Sequence, residues 1–288
     1  MTAGAAARPL RTPHRRRGER GLPGIELTEQ GWHLLRTAPA GAWAAWATGA
    51  VPGLIALLYF TGDMSRGATG PARLPFAALG LALAFLWASV WQAEFGVRLR
   101  AHLGGRAAPA LSPARLARMA RNQAIFQPWA LWIQPLALLA SVPLPWTTAY
   151  FTAVSALDDG SLAPGEIHSR AWRAAGAWPN QNLVATAVLG VFGLFVLVNT
   201  GLALLTVPDL LSALLGIETP FSRLGGFDGL KLIFNSTFLS VWLALSACAL
   251  DPLVRACMTL RLFLSESLAT GEDLRVALAE VRAREAAR

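Results

Sequence analysis

The residues that could do chemistry in this chain are few and lie far apart in the sequence. No two of its four histidines have the spacing that would place two imidazoles on one face of a helix around a zinc ion; they are His14, His33, His102 and His168. All four are predicted to lie in tails or loops. The sequence contains neither a Gly-x-Ser-x-Gly nucleophile motif nor a glycine-rich phosphate loop. It therefore predicts no catalytic, cofactor-binding or metal-binding residue.

Three acids and one histidine near the arginine-rich loops are the remaining candidates for a catalytic or metal-binding set. It consists of Glu94, His102, Asp158 and Asp159. Such groups could act as a general acid and base or hold a metal ion at one membrane face, but no spacing in the sequence ties them together. We expect Glu94 to be a solvated carboxylate at the end of an apolar stretch, with a structural role.

The two cysteines, Cys248 and Cys257, are not expected to form a disulfide. They lie nine residues apart. On a helix that spacing is about 13 Å, which is too far for a disulfide. We interpret both as small buried apolar residues.

Four amides within apolar stretches are structural candidates. Gln127 and Gln134 lie two helical turns apart, so they share a helix face and are expected to bond each other or neighbouring backbone. Asn199 and Asn235 are expected to bond each other between two helices. The alternative for each is a ligand site, because polar residues inside membrane segments often mark one.

The last two structural candidates are Asp251 and Arg255. Asp251 precedes Pro252, which suits the first turn of a helix, so Asp251 is a candidate N-cap. Arg255 follows four residues later, the favourable order for an acid and a base on one helix face. We predict a cap and an ion pair at the membrane interface.

These residues must be positioned by five long apolar stretches, which place the chain in a bilayer. The stretches are 42–60, 74–93, 124–157, 183–207 and 232–250. Most reach the roughly 18–20 apolar residues that cross a hydrocarbon core of about 30 Å. Hydrophobic residues make up 54% of the chain and charged residues only 15%, against roughly a quarter charged in soluble domains. The sequence predicts an all-α polytopic transmembrane helix bundle.

The stretch 124–157 is too long for one ordinary span and is broken by Pro143 and Pro145. It predicts two short helices, about 122–141 and 144–157, that return the chain to the side it left. The second helix is short for a full crossing. The bundle is therefore predicted to have six crossings, or five and a re-entrant hairpin.

Basic residues decide the orientation, because cytoplasmic loops of membrane proteins are rich in arginine and lysine. With the amino terminus inside and a returning hairpin, 21 of the 25 basic residues are cytoplasmic and 4 are outside, whereas a single span at 124–157 gives 15 and 10. We predict a bacterial inner (cytoplasmic) membrane protein with both termini cytoplasmic. The net charge is +8, but the arginines that produce it flank the apolar stretches and are not gathered on one soluble domain. We therefore expect the lipid bilayer as a partner and no nucleic acid.

The chain divides into three predicted parts. Residues 1–24 form a disordered basic cytoplasmic tail, 25–250 the transmembrane helical domain, and 251–288 the cytoplasmic interfacial and C-terminal helices. Pro208–Ile217 is too short to cross and is predicted to lie on the membrane. Pro252–Leu268 is predicted to be an amphipathic helix at the interface, with Arg255, Arg261 and Glu266 off its apolar face.

Several short motifs carry a resemblance to a known family. They are Asp63-Met64-Ser65-Arg66, Trp91-Gln92-Ala93, Trp178-Pro179-Asn180-Gln181-Asn182, Phe234-Asn235-Ser236-Thr237-Phe238, Asp251-Pro252-Leu253-Val254-Arg255, Leu260-Arg261 and Thr270-Gly271-Glu272-Asp273-Leu274-Arg275. Over about residues 26–278 the chain resembles an uncharacterised family of bacterial multi-pass membrane proteins. The resemblance implies a gene encoded near that of a membrane protein with a transglutaminase-related domain. It implies no catalytic residue.

Three functions are compatible with the sequence. The first is a non-enzymatic integral membrane protein that acts as a component or partner of a membrane protein complex; small residues at four-residue spacing, such as Gly49 and Gly53, favour it because they let helices approach closely. The second is a transporter or channel-like protein, which the proline-broken hairpin favours. The third is an intramembrane or lipid-modifying enzyme, which would need an assembled acid, histidine or metal set.

Overall fold

The computed structural model describes residues 21–66, 70–140, 144–216 and 235–286. Throughout this part of the chain the secondary structure is α-helical, as the sequence predicts. The helices are α1 (Gly24–Thr37), α2 (Ala40–Arg66), α3 (Gly70–Leu103), α4 (Pro113–Ala140), α5 (Leu144–Leu157), α6 (Pro164–Gly176), α7 (Pro179–Leu215), α8 (Ser236–Thr270) and α9 (Glu272–Ala286).

Four of these helices, α2, α3, α7 and α8, are long and apolar enough to cross a membrane. Many of their large apolar side chains, such as Phe76 and Val191, are exposed rather than packed inside the protein. A soluble protein of this size would bury such side chains, whereas lipid solvates them. The structure therefore supports a polytopic membrane protein, and gives four spanning candidates among the described residues where the sequence predicts six or five.

Helices α4 and α5 differ from the four spanning candidates. Helix α5 has 14 residues, of which ten are buried. At about 1.5 Å per residue it covers only about 21 Å, less than the roughly 30 Å core of a bilayer. The two helices run antiparallel: Asn122, nearer the start of α4, donates to Asp158 just after α5, and Gln127, further along α4, donates to the carbonyl of Phe151 within α5. The predicted break at 141–146 lies partly outside the described residues.

Two predicted boundaries between helices, at Pro208 and at Pro252, are wrong. Helix α7 continues through Pro208 to Leu215, so residues 208–215 are not a separate surface segment; Ile217 lies outside the described residues. Helix α8 likewise continues through Pro252 to Thr270, so the span and the predicted interfacial helix are one element. A proline inside a helix removes one backbone hydrogen bond, and packing by neighbouring helices makes that loss tolerable in membrane helices.

Two helices were not predicted by the sequence. Helix α1 packs against α7 and α8, where Gly31 lies against Cys257. Helix α6 lies along α5 and buries Ile167 and Ala171. Three histidines predicted to lie in tails or loops are instead in helices α1, α3 and α6: His33, His102 and His168.

The predicted tail 1–24 is mostly outside the described residues, but its last part is ordered. Leu22 is buried, and its carbonyl accepts a hydrogen bond of 2.8 Å from the side-chain amide of Gln181 on α7. Gly24 is already the first residue of α1. The boundary between tail and folded domain therefore lies before Leu22.

Small residues hold the helices together at short range. Gly49 and Gly53 on α2 face Ala88 on α3, so these predicted small-residue faces are used inside the chain. Gly96 on α3 leaves room for the backbone of Ala156 on α5, whose Cα would lie 2.9 Å from a Cβ at position 96. By contrast, a Cβ at Gly190 would meet nothing within 4 Å.

Replacement of Gly96 by leucine should destabilise the protein, because the new side chain would push α3 away from α5. Overpacking of this kind costs about 1–3 kcal/mol. Gly190→Leu is the matched control, since it makes the same change on an open helix surface. In detergent, the melting temperature of purified Gly96→Leu should fall by several degrees while that of Gly190→Leu stays near wild type. Equal melting temperatures for the two variants would contradict the α3–α5 contact.

Candidate functional site

Buried polar side chains of α3, α4 and the loop after α5 form a hydrogen-bonded network, and the carboxylate of Glu94 on α3 is at its centre. It is 0% exposed, and each of its oxygens is paired. Arg98 Nε lies 2.7 Å from Oε1, and Arg115 Nη2 on α4 lies 2.5 Å from Oε2. The prediction of a solvated Glu94 is wrong, because the arginines of two helices converge on it and replace water as its hydrogen-bond donors.

Two arginines of α4, Arg115 and Arg118, bind the loop that follows α5. Arg115 Nε donates to the carbonyl of Asp159 at 2.8 Å, and Arg118 Nε donates to the carbonyl of Gly160 at 2.7 Å. Arg115 is itself 5% exposed, so it joins α3, α4 and this loop in the protein interior. A guanidinium suits that position, since its fork of donors can reach a carboxylate and a carbonyl together.

Asp158, at the end of α5, is the second buried acid. Asn122 Nδ2 donates to Oδ1 at 2.9 Å and Gln123 Nε2 donates to Oδ2 at 2.7 Å, both from α4. Burial raises the pKa of the Asp158 carboxyl above its ordinary value, while the hydrogen bonds from Asn122, Gln123 and the Gly160 N–H act in the opposite direction. The only sign of this group in the sequence is an acid that follows an apolar stretch.

Of the candidate set Glu94, His102, Asp158 and Asp159, the fold brings only the three acids near one another. Arg115 links the carboxylate of Glu94 to the backbone of Asp159, and Asp158 is next to them in the same loop. No hydrogen bond joins His102 to these acids among the described residues. Within the same residues, no three His, Cys, Asp or Glu side chains lie close enough to hold a metal ion.

The amides Gln127 and Gln134 do not bond each other, but Gln127 does bond neighbouring backbone, the other predicted partner, at the carbonyl of Phe151. Gln127 extends the polar network: its Nε2 donates to Gln123 Oε1 at 3.2 Å and to Ser155 Oγ at 2.9 Å. Gln134 lines an open cleft. The spacing correctly placed both on one side of a helix, but it could not show that α5 supplies a nearer partner for Gln127.

The expected pair of Asn199 and Asn235 is also wrong. Asn199 Nδ2 donates to the carbonyl of Phe195 in its own helix at 2.8 Å. Asn235 is the N-cap of α8, and its Oδ1 accepts from the N–H groups of Thr237 and Phe238. Each residue satisfies its local backbone, so neither needs the other.

Asp251 and Arg255 form an ion pair, with Arg255 Nε 2.8 Å from Asp251 Oδ1. Asp251 does not cap a helix, because α8 passes through it. Its Oδ2 instead accepts a hydrogen bond of 3.0 Å from Trp46 Nε1 on α2. The acid therefore ties α2 to α8, a role that the sequence did not predict.

Two more residues of α8 attach it to neighbouring helices, although they were predicted to lie off an apolar face. Glu266 forms ion pairs with Arg100 on α3 and Arg170 on α6. Arg261 is 2% exposed and donates to the carbonyls of Ala174 and Ala177 at the end of α6. The last carbonyls of a helix lack their full set of intrahelical partners, and a cation there also meets the negative end of the helix dipole.

Beside the network lies a cleft between α3, α4, α5 and α8, with a volume of about 220 Å³. It is bordered by amides, hydroxyls, apolar side chains and one guanidinium. The lining residues are Phe85, Ser89, Gln92, Gln127, Ala130, Leu131, Gln134, Phe151, Thr152, Ser155 and Arg255. The cleft contains three of the sequence's structural candidates: Gln127, Gln134 and Arg255.

Comparisons with known proteins add nothing to this geometry: no family model, no curated protein and no solved structure matches the chain.

The pairing of Glu94 with Arg115 should be strongly coupled, and a double-mutant cycle measures it. Glu94→Leu leaves Arg115 buried without its counter-charge and should lower the free energy of unfolding by about 3–5 kcal/mol. Adding Arg115→Leu should recover part of that loss, since the isolated charge is then removed. The exposed pair Glu166–Arg170 on α6 is the control, and Glu166→Leu should cost about 0–1 kcal/mol. Additive losses at 94 and 115 would contradict the coupling.

Proposed function

We propose that this protein is a non-enzymatic, multi-pass membrane component that works by binding a partner membrane protein. Three acids support this, because each holds helices together: the buried Glu94 through two arginines, the buried Asp158 through two amides, and the half-buried Asp251 through Trp46 and Arg255. Groups held in this way give a rigid helical platform.

The observation that carries the proposal is the apolar stripe of α9. Leu274, Leu278 and Val281 are 62%, 51% and 50% exposed. They recur at the spacing that places side chains on one helix face. Helix α9 packs chiefly against the end of α8, and Glu272 at its start accepts a hydrogen bond from Arg106. The stripe is thus anchored at one end and open along its length.

A helix with such a row of exposed apolar side chains fits an apolar groove on another protein, where residues at this spacing act as anchors. The partner we propose is a membrane protein with such a groove on its cytoplasmic side. The resemblance of the sequence to the family described above supports one candidate, a membrane protein with a transglutaminase-related domain.

The proposed setting is a bacterial inner membrane with both termini in the cytoplasm. Helices α2, α3, α7 and α8 cross it, and α4 with α5 forms a re-entrant hairpin. The shortness of α5 and the polar contacts that return Asp158 to Asn122 near the start of α4 support the hairpin. An even number of crossings keeps the termini on one side, as the distribution of arginines also favours.

Glutamate at position 278 should abolish partner binding without disturbing the membrane domain, because it places a charge in the middle of the apolar stripe. Ala279→Glu, one residue further, adds the same charge on a different exposed face of α9 and is the matched control. The full-length variants would be captured from native membranes and their partners quantified by mass spectrometry. We expect at least a tenfold loss of the partner for Leu278→Glu and little change for Ala279→Glu. An identical set of partners for both variants would refute the role of the stripe.

The orientation predicts which positions a membrane-impermeant thiol reagent reaches from outside intact cells. In a background with alanine at Cys248 and Cys257, a cysteine at Ser65 should be labelled and a cysteine at Ser161 should not. Permeabilised cells supply the control, since Ser161 is exposed and should then react. Labelling at 161 in intact cells would overturn the returning hairpin.

A second candidate function, transport, is favoured by the polar cleft beside the hairpin. A transport path requires polar groups at the membrane midplane that line a route between the two faces. The cleft supplies polar groups between the helices through Gln92, Gln127 and Gln134. The two functions differ in what Gln134→Leu does: it should spare partner binding in the first and abolish substrate movement in the second.

A further inference from the structure

The cleft between α3, α4, α5 and α8 holds polar groups that no other described residue engages. Gln92 and Gln134 both line it, and neither makes a side-chain hydrogen bond to another described residue. Gln127, in the same cleft, contrasts with them, because its Nε2 donates to Gln123 and Ser155. An amide left without partners next to lipid is costly, so these two are free, as far as the described residues go, to bind a ligand.

Arg255 gives the cleft its charge. Its Nε is bound to Asp251, whereas its terminal nitrogens Nη1 and Nη2 have no hydrogen bond within the described residues. The other oxygen of Asp251 is taken by Trp46, and Asp251 does not line the cleft. Among the described residues the lining contains one guanidinium and no acid, so the cleft is complementary to an anion.

The cleft also borders the lipid-facing surface of α4. Leu131 in its lining is 56% exposed, and its neighbour Trp132 is 74% exposed. Phe85, Ala130 and Phe151 add apolar wall on the inner side. A ligand held here would meet a polar base and an apolar rim that continues onto the surface of the bundle.

We propose that the cleft binds the phosphate headgroup of a membrane lipid. The free nitrogens of Arg255 would hold two phosphate oxygens, an arrangement that a guanidinium makes readily. The amides of Gln92 and Gln134 would donate to the remaining oxygens, and the acyl chains would lie outside along Leu131. The volume of about 220 Å³ suits a phosphate with its glycerol and not a whole lipid.

This site does not depend on the partner proposed above. It uses α3, α4, α5 and α8, whereas the partner surface is on α9. Failure of either proposal leaves the other in place, because Leu278→Glu does not touch the cleft and Arg255→Gln does not touch the stripe.

Native mass spectrometry of the full-length protein in a neutral detergent tests the proposal. Phosphatidylglycerol is titrated against wild type, and diacylglycerol with the same chains is the ligand control, since it lacks the phosphate. Wild type should bind phosphatidylglycerol with one preferred site and show no such preference for diacylglycerol. Arg255→Gln should weaken that site at least tenfold, and Arg173→Gln, which removes an exposed arginine from α6, should leave it unchanged.

Gln134→Leu provides a second variant if Arg255→Gln does not fold. It removes one unengaged amide from a helix face that already borders lipid, and should weaken phosphatidylglycerol binding at least threefold without altering the melting temperature. Equal binding of phosphatidylglycerol by wild type and both variants would overturn the site. Inorganic phosphate that displaces the lipid at millimolar concentration in an Arg255-dependent manner would overturn the lipid source and assign the cleft to a soluble phosphate.

Discussion

The arrangement of this protein depends on the cost of removing a carboxylate from water. Glu94 is fully buried near the end of a long and largely apolar helix, and two arginines make that position tolerable. One of them, Arg115, comes from α4, so α4 must begin beside the end of α3. Breaking such a pair leaves an uncompensated charge in the interior, and this holds the two helices in one register.

The position of α4 then determines that of the shorter helices. Arg115 and Arg118 bind the backbone after α5, and Asn122 and Gln123 bind Asp158 at its end. Helix α5 is thereby held behind α4, which presents its large apolar side chains outward. A 14-residue helix too short to cross a bilayer is stable here because it is enclosed by protein and its polar end is fully hydrogen-bonded.

The sequence predicted the helices better than their partners. Long apolar stretches identify spanning helices because their length is set by the bilayer, and this does not depend on neighbours. Pro208 and Pro252 were interpreted as helix ends, yet in a membrane bundle the freed backbone group can be tolerated and the helix continues. The partners of Gln127 and Asn199 depend on which helix or carbonyl lies within 3.5 Å, which spacing along one chain cannot give. Helix α6 was missed because its short amphipathic pattern lies in a polar region.

Pro252 has a mechanical consequence for α8. Because proline has no N–H, the helix lacks the bond that would join position 252 to the carbonyl of Cys248, and α8 is most compliant there. The Asp251–Arg255 ion pair spans the same turn and stabilises it. A group that draws the Arg255 guanidinium away from Asp251 would therefore make α8 more flexible at this turn. Helix α9, which follows α8, would then be held less firmly relative to the apolar half of α8.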